Sequence, residues 1–428
     1  MITARLARSL VAAELPIMMV IAPALLFPSP SRLIVLAIVP LVWIAARVTT
    51  GEAVPRTPIN RAIQLLLIMV AVSLFATFDV RFSLGKVAGV VLGALLFWAV
   101  VRWLTTPQRL RIATVSFLML GAGLALLGIL GSEGSDKLAA LRGITARPPV
   151  LRGLPGAEEG FNPNAISGCL VLFIPIQLAL VATGALRRLS SPSDGHRSAR
   201  WLVAAELVML TATAGTLVLM QSRGAWAGLA VAGLAFLLWH GRKTRAIAAL
   251  TIGAAAILWI SFGSTSVLDR AISRSGAGTN ATVAGRIEIW TRAVYAIQDV
   301  PFTGMGMNTF RRVMPVLYPS RTIAPGKDVA HAHNHLLQSA LDLGIPGLIA
   351  YAAIWLGTAA LLVAVYRRAP ERSHRVIAGG IGAGLVAHFV FGLTDAIPLG
   401  AKVGALFWLT LALSVGLHRL ALPRPAAA

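Results

Sequence analysis

The chain has 428 residues, of which 57% are hydrophobic and 13% are charged, whereas a soluble domain carries roughly 25% charged residues. Its formal net charge of +22 is divided among clusters between apolar segments, a pattern that excludes the continuous basic face of a nucleic-acid-binding protein. This composition predicts an integral membrane protein, and the lack of alternating ten-residue strand patterns excludes an outer-membrane barrel.

Apolar runs follow one another along the whole chain, and many have the roughly 17 to 22 residues that a helix needs to cross a bilayer. They lie at 11–27, 31–48, 61–78, 86–103, 112–130, 164–183, 202–220, 224–239, 246–263, 346–366, 376–394 and 402–418. We therefore expect an all-α integral membrane protein with about twelve transmembrane helices. The single cysteine, Cys169, excludes an internal disulfide and a Cys-based metal site.

Lysine and arginine clusters mark every second connection between these runs. The clusters lie at 47–61, 102–111, 187–200, 242–245 and 367–375. Because positively charged connections stay on the cytoplasmic side of a membrane, we expect these connections and both termini to be cytoplasmic. Two connections, 131–163 and the long 264–345, then face the outside.

The long outer loop divides the chain into three parts. Residues 1–263 contain transmembrane helices 1–9, residues 264–345 form the loop, and residues 346–428 contain helices 10–12 with a cytoplasmic tail. A loop of roughly 80 residues is far longer than an ordinary connector. We therefore expect the loop to hold the functional site.

Helical spacing predicts two short helices within this loop, both lying on the membrane surface. They cover residues 285–301 and 308–317. The apolar stripe of the first consists of Ile287, Trp290, Val294 and Ile297.

Three histidines, His331, His333 and His335, stand at alternate positions in HAHNHLLQSALDLGIPG, residues 331–347. A neutral imidazole there is suited to take a proton from a hydroxyl nucleophile. No ATP is present on the outer face, so a reaction there requires an already activated substrate. Two other interpretations are open: a zinc cluster, although the segment lacks HExxH and carboxylates on the outer face are few and scattered, and capping of a helix at the interface.

Two arginines complete the candidate site. Arg223 lies in the turn QSRG, and Arg286 opens the first loop helix. A guanidinium donates paired hydrogen bonds to phosphate while keeping its charge, so both arginines suit a phosphate ligand; the alternative is that each extends to lipid headgroups.

His388 and Asp395, near the outer end of one span, form either a structural pair or a weaker site candidate.

Several of these motifs together resemble those of the O-antigen ligase and polymerase superfamily. They are GRxxxW at 285–290, DVPFTGMGMNTF at 299–310, His333-Asn334 followed by Gly344-Ile-Pro-Gly347, and SRG at 222–224. The layout of about twelve helices with one large, late periplasmic loop is also similar to that superfamily. The histidine motif is the more specific signal, since SRG is short.

The resemblance implies a GT-C-like, metal-independent, inverting glycosyltransferase of the bacterial inner membrane that needs no cofactor. In the ligase branch, a glycan passes from undecaprenyl diphosphate to a hydroxyl of lipid A-core on the periplasmic face, a step of lipopolysaccharide biosynthesis. His333 matches the general base, and Arg223 and Arg286 match the arginines that bind the diphosphate. The supporting candidates are Asn334, His331, His335 and Arg312.

Two alternatives to the ligase follow from the same sequence. A polymerase of O-antigen or exopolysaccharide would use the same donor with a lipid-linked glycan as acceptor. A twelve-helix transporter, proton-coupled through His388 and Asp395, belongs to another functional class. The transporter is disfavoured because such folds usually consist of two related halves, and the chain contains no evident duplication.

Overall fold

The structure, a computed structural model, describes residues 2–133, 141–145, 148–154, 157–185, 196–241, 244–247, 249–250, 283–320 and 328–422. Within these residues, all regular secondary structure beyond two isolated β-bridges is helical. The helices are α1 Ile2–Ala12, α2 Glu14–Leu26, α3 Ile38–Thr50, α4 Asn60–Ala76, α5 Val80–Trp103, α6 Pro107–Gly131, α7 Arg142–Thr145, α8 Pro163–Leu170, α9 Ile174–Thr183, α10 His196–Met220, α11 Arg223–His240, α12 Val283–Asp299, α13 Phe310–Leu317, α14 His335–Arg368, α15 Arg372–Thr394 and α16 Ala405–Ala421.

Within the described part of the chain, eight helices are long and apolar enough to cross a membrane, or nine if the bent pair Arg5–Ala12 and Glu14–Leu26 forms one span. Asn60–Ala76 and Arg223–Leu238 are shorter apolar helices. Together they account for every predicted run except 246–263, most of which lies outside the described residues. The all-α membrane architecture is thus confirmed, while the count of twelve spans and the GT-C-like fold stay predictions.

Polar side chains fix where several helices begin. The Asp79 side chain accepts hydrogen bonds from the first amides of α5, Thr106 does the same for α6, and Asn334 for α14. These side chains satisfy amides that have no partner within their own helix. The Asn334 cap ends the non-helical histidine loop and starts a long buried helix directly after it.

Glycines bring the helix backbones close together. A Cβ added at Gly228 of α11 would lie 2.3 Å from the carbonyl oxygen of Ala387 in α15. A Cβ at Gly384 of α15 would lie 2.6 Å from the carbonyl oxygen of Leu172, just before α9. Small residues at such crossings are typical of membrane helices, and here they hold α15 against both α9 and α11.

Both predicted loop helices are present, as α12 and α13. The side of α12 that packs into the protein carries Ile289, Ala293 and Ala296, all fully buried. Ile287 and Val294 from the predicted stripe are exposed by 55% and 41%. Trp290 and Ile297, the other two residues of the stripe, pack against the same buried cluster. The packed face therefore overlaps the predicted stripe only in part, and the small alanines at its centre allow α12 to approach its neighbours closely.

The helical bundle has two chemically different ends. The hairpin of α14 and α15 turns at residues 367–375, which carry four arginines, and its other end holds the start of α14 and the end of α15. The 23 residues of α15 span roughly 35 Å at about 1.5 Å per residue. We call the arginine-rich end the basic end and the opposite end the histidine end.

Close packing of α5 against the loop after α15 generates a stability prediction. A Cβ added at Gly89 would lie 2.1 Å from the carbonyl oxygen of Gly400, so Gly89→Ala should destabilise the protein by about 1–3 kcal/mol through overpacking. Thermal unfolding of the purified protein in detergent measures this effect. Gly85→Ala, in the same helix with no neighbour within 4 Å, is the control; equal melting temperatures for the two variants would refute the packing argument.

Candidate functional site

The centre of the candidate site is a hydrogen bond between the histidine loop and the end of α15. His333 Nδ1 lies 3.0 Å from Asp395 Oδ1. Asp395 follows Thr394, the last residue of α15, and His333 precedes the cap of α14. His333 adopts a left-handed backbone conformation with φ of 50°, which is uncommon for a residue with a side chain. The loop thus holds an unfavourable conformation that turns His333 toward Asp395.

Asp395 sets the tautomer of His333. Burial raises the pKa of Asp395, but the hydrogen bond from His333 and the electrostatic effects of His331 and His333 outweigh it and lower the pKa below its usual value. Asp395 Oδ1 also accepts a hydrogen bond from the Ala396 amide at 2.9 Å. An ionised carboxylate can only accept, so His333 Nδ1–H donates to it. In the neutral form of the His333 imidazole, the lone pair then lies on Nε2, which can take a proton.

His331 packs beside His333 and stays neutral. Their ring centroids are 4.4 Å apart, and the His333 amide donates to His331 Nδ1 at 3.2 Å. Burial lowers the pKa of His331 to about 4, and the electrostatic effects of His333, Lys86 and Arg286 contribute, with Asp395 opposing them. Lys86 of α5 and Arg286 of α12 therefore act electrostatically at the histidine loop.

Arg286 is held near this loop by its own helix. Trp290, one turn further along α12, donates from Nε1 to the Ala332 carbonyl at 3.0 Å, and Ala332 lies between the two histidines. Burial lowers the pKa of Arg286, Asp395 opposes the shift and Arg223 adds to it. Arg286 Nε is buried and has no hydrogen-bond partner among the described residues. Such a donor is costly to bury unless a ligand satisfies it.

Arg223 lies at the same end of the bundle. It is the first residue of α11, and a Cβ added at the next residue, Gly224, would lie 2.8 Å from Thr394 Oγ1 at the end of α15. Its charge also acts on Arg286. Three parts of the chain that are distant in sequence thus converge around Asp395: the start of α11, the start of α12 and the histidine loop.

The supporting candidates lie in different environments. Asn334 accepts from the amides of Leu336 and Leu337 and donates to the Leu393 carbonyl at 3.3 Å, so it joins α14 to α15. His335 points into the bundle, where its Nδ1 lies 2.9 Å from the Tyr351 hydroxyl. His335 is therefore separate from the other two histidines.

Arg312, the last supporting candidate, lies on α13 and stacks over the Phe82 ring at 5.4 Å. Its guanidinium thus packs on the start of α5. Phe82 also accepts, through its carbonyl, a hydrogen bond from the Asn308 side chain at 3.1 Å. These contacts attach the loop that carries α13 to the transmembrane bundle.

The backbone of Ala332, between His331 and His333, is held by two side chains whose roles were not predicted from the sequence. Trp290 binds the Ala332 carbonyl, and the Ala332 amide donates to Gln338 Oε1 at 2.8 Å. Ala332 is fully buried. These two bonds fix the turn in which His333 adopts its left-handed conformation.

Asp342 in turn orients Gln338. Its Oδ1 accepts from Gln338 Nε2 at 2.9 Å and from the Asn308 amide at 3.3 Å. The Gln338 amide nitrogen therefore faces Asp342, and its oxygen faces Ala332. Gln338 and Asp342 stand four residues apart in a largely apolar helix. That spacing places both side chains on one face of the helix, and it is the sequence signal that could have indicated a joint role.

The structure also bears on the zinc alternative. The ligand atoms of His331, His333 and Asp395 lie within 4.8 Å of one another, a spacing that suits a metal ion. However, Nδ1 of both histidines is already engaged, one with the His333 amide and the other with Asp395. Lys86 and Arg286 add positive charge at His331. This electrostatic environment attracts an anion more strongly than a divalent cation.

Comparison with known proteins gives independent evidence on this region. Residues 207–352 match a family model described as O-Antigen ligase. The match includes Arg223, Arg286 and the histidine loop but ends before Asp395. The resemblance found in the sequence motifs is thereby confirmed for this segment. No curated protein matches the chain significantly.

The contact between Gln338 and Asp342 predicts a mutational rescue. Gln338→Glu should place two carboxylates in contact and lower the unfolding free energy by about 1–3 kcal/mol, the usual effect of a buried polar group without its partner. Adding Asp342→Asn restores a donor toward residue 338 and should recover most of that loss. Thermal unfolding in detergent of both single variants and the double variant gives the coupling. Additive effects of the two changes would contradict the proposed contact.

The lowered pKa of His331 predicts a pH effect on stability. Its value falls from 6.5 to about 4 in the folded protein, so the unfolded chain binds the proton first as the pH decreases. The unfolding free energy should therefore decrease by roughly 3 kcal/mol as the pH falls from 6.5 to 4. Below pH 4 this group should cause no further decrease. His331→Asn, which keeps an acceptor for the His333 amide, should flatten the melting-temperature profile in this window. An unchanged profile would show that His331 titrates normally.

Proposed function

We propose that this chain, whose residues 207–352 match the O-antigen ligase family model, transfers a glycan from undecaprenyl diphosphate to a sugar hydroxyl of lipid A-core. The observation that carries the proposal is the pairing of His333 with Asp395 at 3.0 Å beside a buried, unsatisfied Arg286 Nε. One part of the site can take a proton, and the other can hold a phosphate.

The reaction requires one bond to form and one to break at the anomeric carbon of the donor sugar. The acceptor hydroxyl oxygen attacks that carbon, and the bond to the diphosphate oxygen breaks. His333 Nε2 takes the hydroxyl proton, and undecaprenyl diphosphate leaves with the bonding electron pair. A single displacement inverts the anomeric configuration. Asp395 stabilises the imidazolium that forms, as a carboxylate does when it holds a histidine base.

Arg223 and Arg286 would bind the diphosphate. Negative charge grows on the leaving oxygen as the glycosidic bond breaks, and positioned guanidiniums stabilise that charge. Their forked geometry allows paired hydrogen bonds to phosphate oxygens. Lys86 adds a further positive charge near the histidine loop. The expected metal independence is supported by this charge distribution, because the cations already supply the stabilisation that a metal ion would provide.

The placement of charges supports an outer location for the site. The histidine end and the basic end are opposite ends of the α14–α15 hairpin, and basic clusters mark the cytoplasmic side. The proposed site then faces the periplasm of a bacterial inner membrane, with both termini in the cytoplasm and residues 264–345 forming the periplasmic loop. The bond between the anomeric carbon and the diphosphate, which breaks in the transfer, supplies the driving force that ATP supplies elsewhere.

Transfer by the purified protein in detergent, from a defined undecaprenyl-diphosphate glycan to lipid A-core, tests the proposal. His333→Ala should reduce turnover by about 10²–10⁴-fold, and Arg223→Lys and Arg286→Lys should each be strongly impaired because a point charge cannot replace the fork. Arg81→Lys, at the histidine end but outside the site, is the matched control. Full activity of His333→Ala would refute the general-base role, and loss of activity with a chelator would revive the zinc alternative.

The acceptor separates a ligase from its alternatives. A deletion strain of a ligase should lose all O-antigen from its lipopolysaccharide and accumulate the lipid-linked polymer. Attachment of single repeats would instead indicate a polymerase. Transfer in detergent without a gradient would exclude the transporter.

A further inference from the structure

A large apolar cavity lies between α9, α11, α14 and α15, far from the histidine end. Its volume is about 1010 Å³, at the upper limit of ordinary ligand sites, which measure roughly 300–1,000 Å³. Its walls are mostly aliphatic and small side chains, and it is lined at one end by Arg372 and Arg375 at the start of α15. The cavity therefore combines an apolar interior with charges at the basic end.

A second apolar cavity of about 430 Å³ adjoins the first, between α11, α14 and α15. Both are lined by Phe236 and Tyr366. These rings meet over Gly379, where an added Cβ would lie 3.2 Å from Tyr366 and 3.8 Å from Phe236. The two rings thus form a ridge between two adjoining apolar chambers.

α11 and α15 pack closely toward the histidine end. Gly228 packs directly on the Ala387 backbone there. Toward the basic end the facing residues are small, and a Cβ added at Gly233 or Gly382 would meet nothing within 4 Å. No residue in the described part of the chain fills this space between the helices.

Arg372 and Arg375 are exposed. Neither guanidinium forms a hydrogen bond or ion pair with another residue in the described ranges. Both lie within the first turn of α15, where a helix leaves the membrane core, and Arg375 acts electrostatically on Tyr366. Basic groups beside a crevice between transmembrane helices recognise anionic lipid headgroups.

We propose that the two cavities bind the two acyl chains of an anionic phospholipid, with its phosphate at Arg372 and Arg375. About 20 residues of α15, or roughly 30 Å, separate these arginines from Asp395. The lipid is therefore a different molecule from any donor bound at the histidine end. The proposal does not depend on the proposed glycosyltransferase function. The paired chambers favour a two-chain lipid over a single-chain polyprenyl phosphate.

Native mass spectrometry of the full-length protein, titrated with phosphatidylglycerol, tests the site. One equivalent should bind tightly, and the Arg372→Gln, Arg375→Gln double variant should bind about 30-fold more weakly. Arg368→Gln, at the same end but outside the cavity, should bind normally. Equally tight binding of phosphatidylcholine with the same acyl chains, or equal loss in the control, would overturn the proposal. Preferential binding of polyprenyl phosphate through the same arginines would also overturn it.

Filling the cavities tests the acyl chains separately from the charges. Gly233→Leu should occupy the larger chamber and Gly382→Leu the smaller one, and each should weaken phosphatidylglycerol binding at least tenfold without steric clash. Gly123→Leu and Gly215→Leu are matched controls, because both glycines are helical, have no neighbour within 4 Å and lie outside both cavities. Unchanged binding in both cavity-filling variants would place the lipid elsewhere.

Discussion

The hydrogen bond between His333 and Asp395 is the interaction on which the candidate site depends. It connects the residue before the Asn334 cap of α14 with the residue after the end of α15, so the α14–α15 hairpin is closed at the histidine end. Because Asp395 is an ionised acceptor, it also decides which ring nitrogen of His333 is free to take a proton. One contact thus fixes both the position and the chemistry of the imidazole.

The electrostatic environment of that contact favours an anionic ligand. Lys86 and Arg286 act electrostatically on His331, and Arg223 acts on Arg286, which also feels the charge of Asp395; His331 itself stays neutral mainly because it is buried. A diphosphate would balance this excess of positive charge. At the basic end, Arg372 and Arg375 create a second electropositive position beside apolar cavities. Both ends of the bundle are therefore suited to lipids that carry phosphate, but by different geometries.

The histidine loop keeps its shape through side chains that do not themselves take part in the proposed chemistry. Trp290 donates a hydrogen bond to the Ala332 carbonyl, and Gln338 accepts one from the Ala332 amide. Asp342 accepts hydrogen bonds from both Gln338 and the Asn308 amide, and so links Gln338 to the loop before α13. These bonds offset the cost of the left-handed conformation at His333. The helix α12 that presents Arg286 is thereby attached to the same loop that presents the imidazole.

The sequence by itself determined the apolar helices and the alternating basic connections, and it named His333, Arg223 and Arg286 as candidates, because hydrophobic length, charge and motif are local properties of a chain. Only the tertiary structure decided that Asp395 belongs with His333 while His335, two residues away, faces Tyr351. The loop conformation ends at Asn334 and the helix begins at His335, so the two side chains diverge. Contacts across tens or hundreds of residues depend on how helices cross, and no local pattern encodes that crossing.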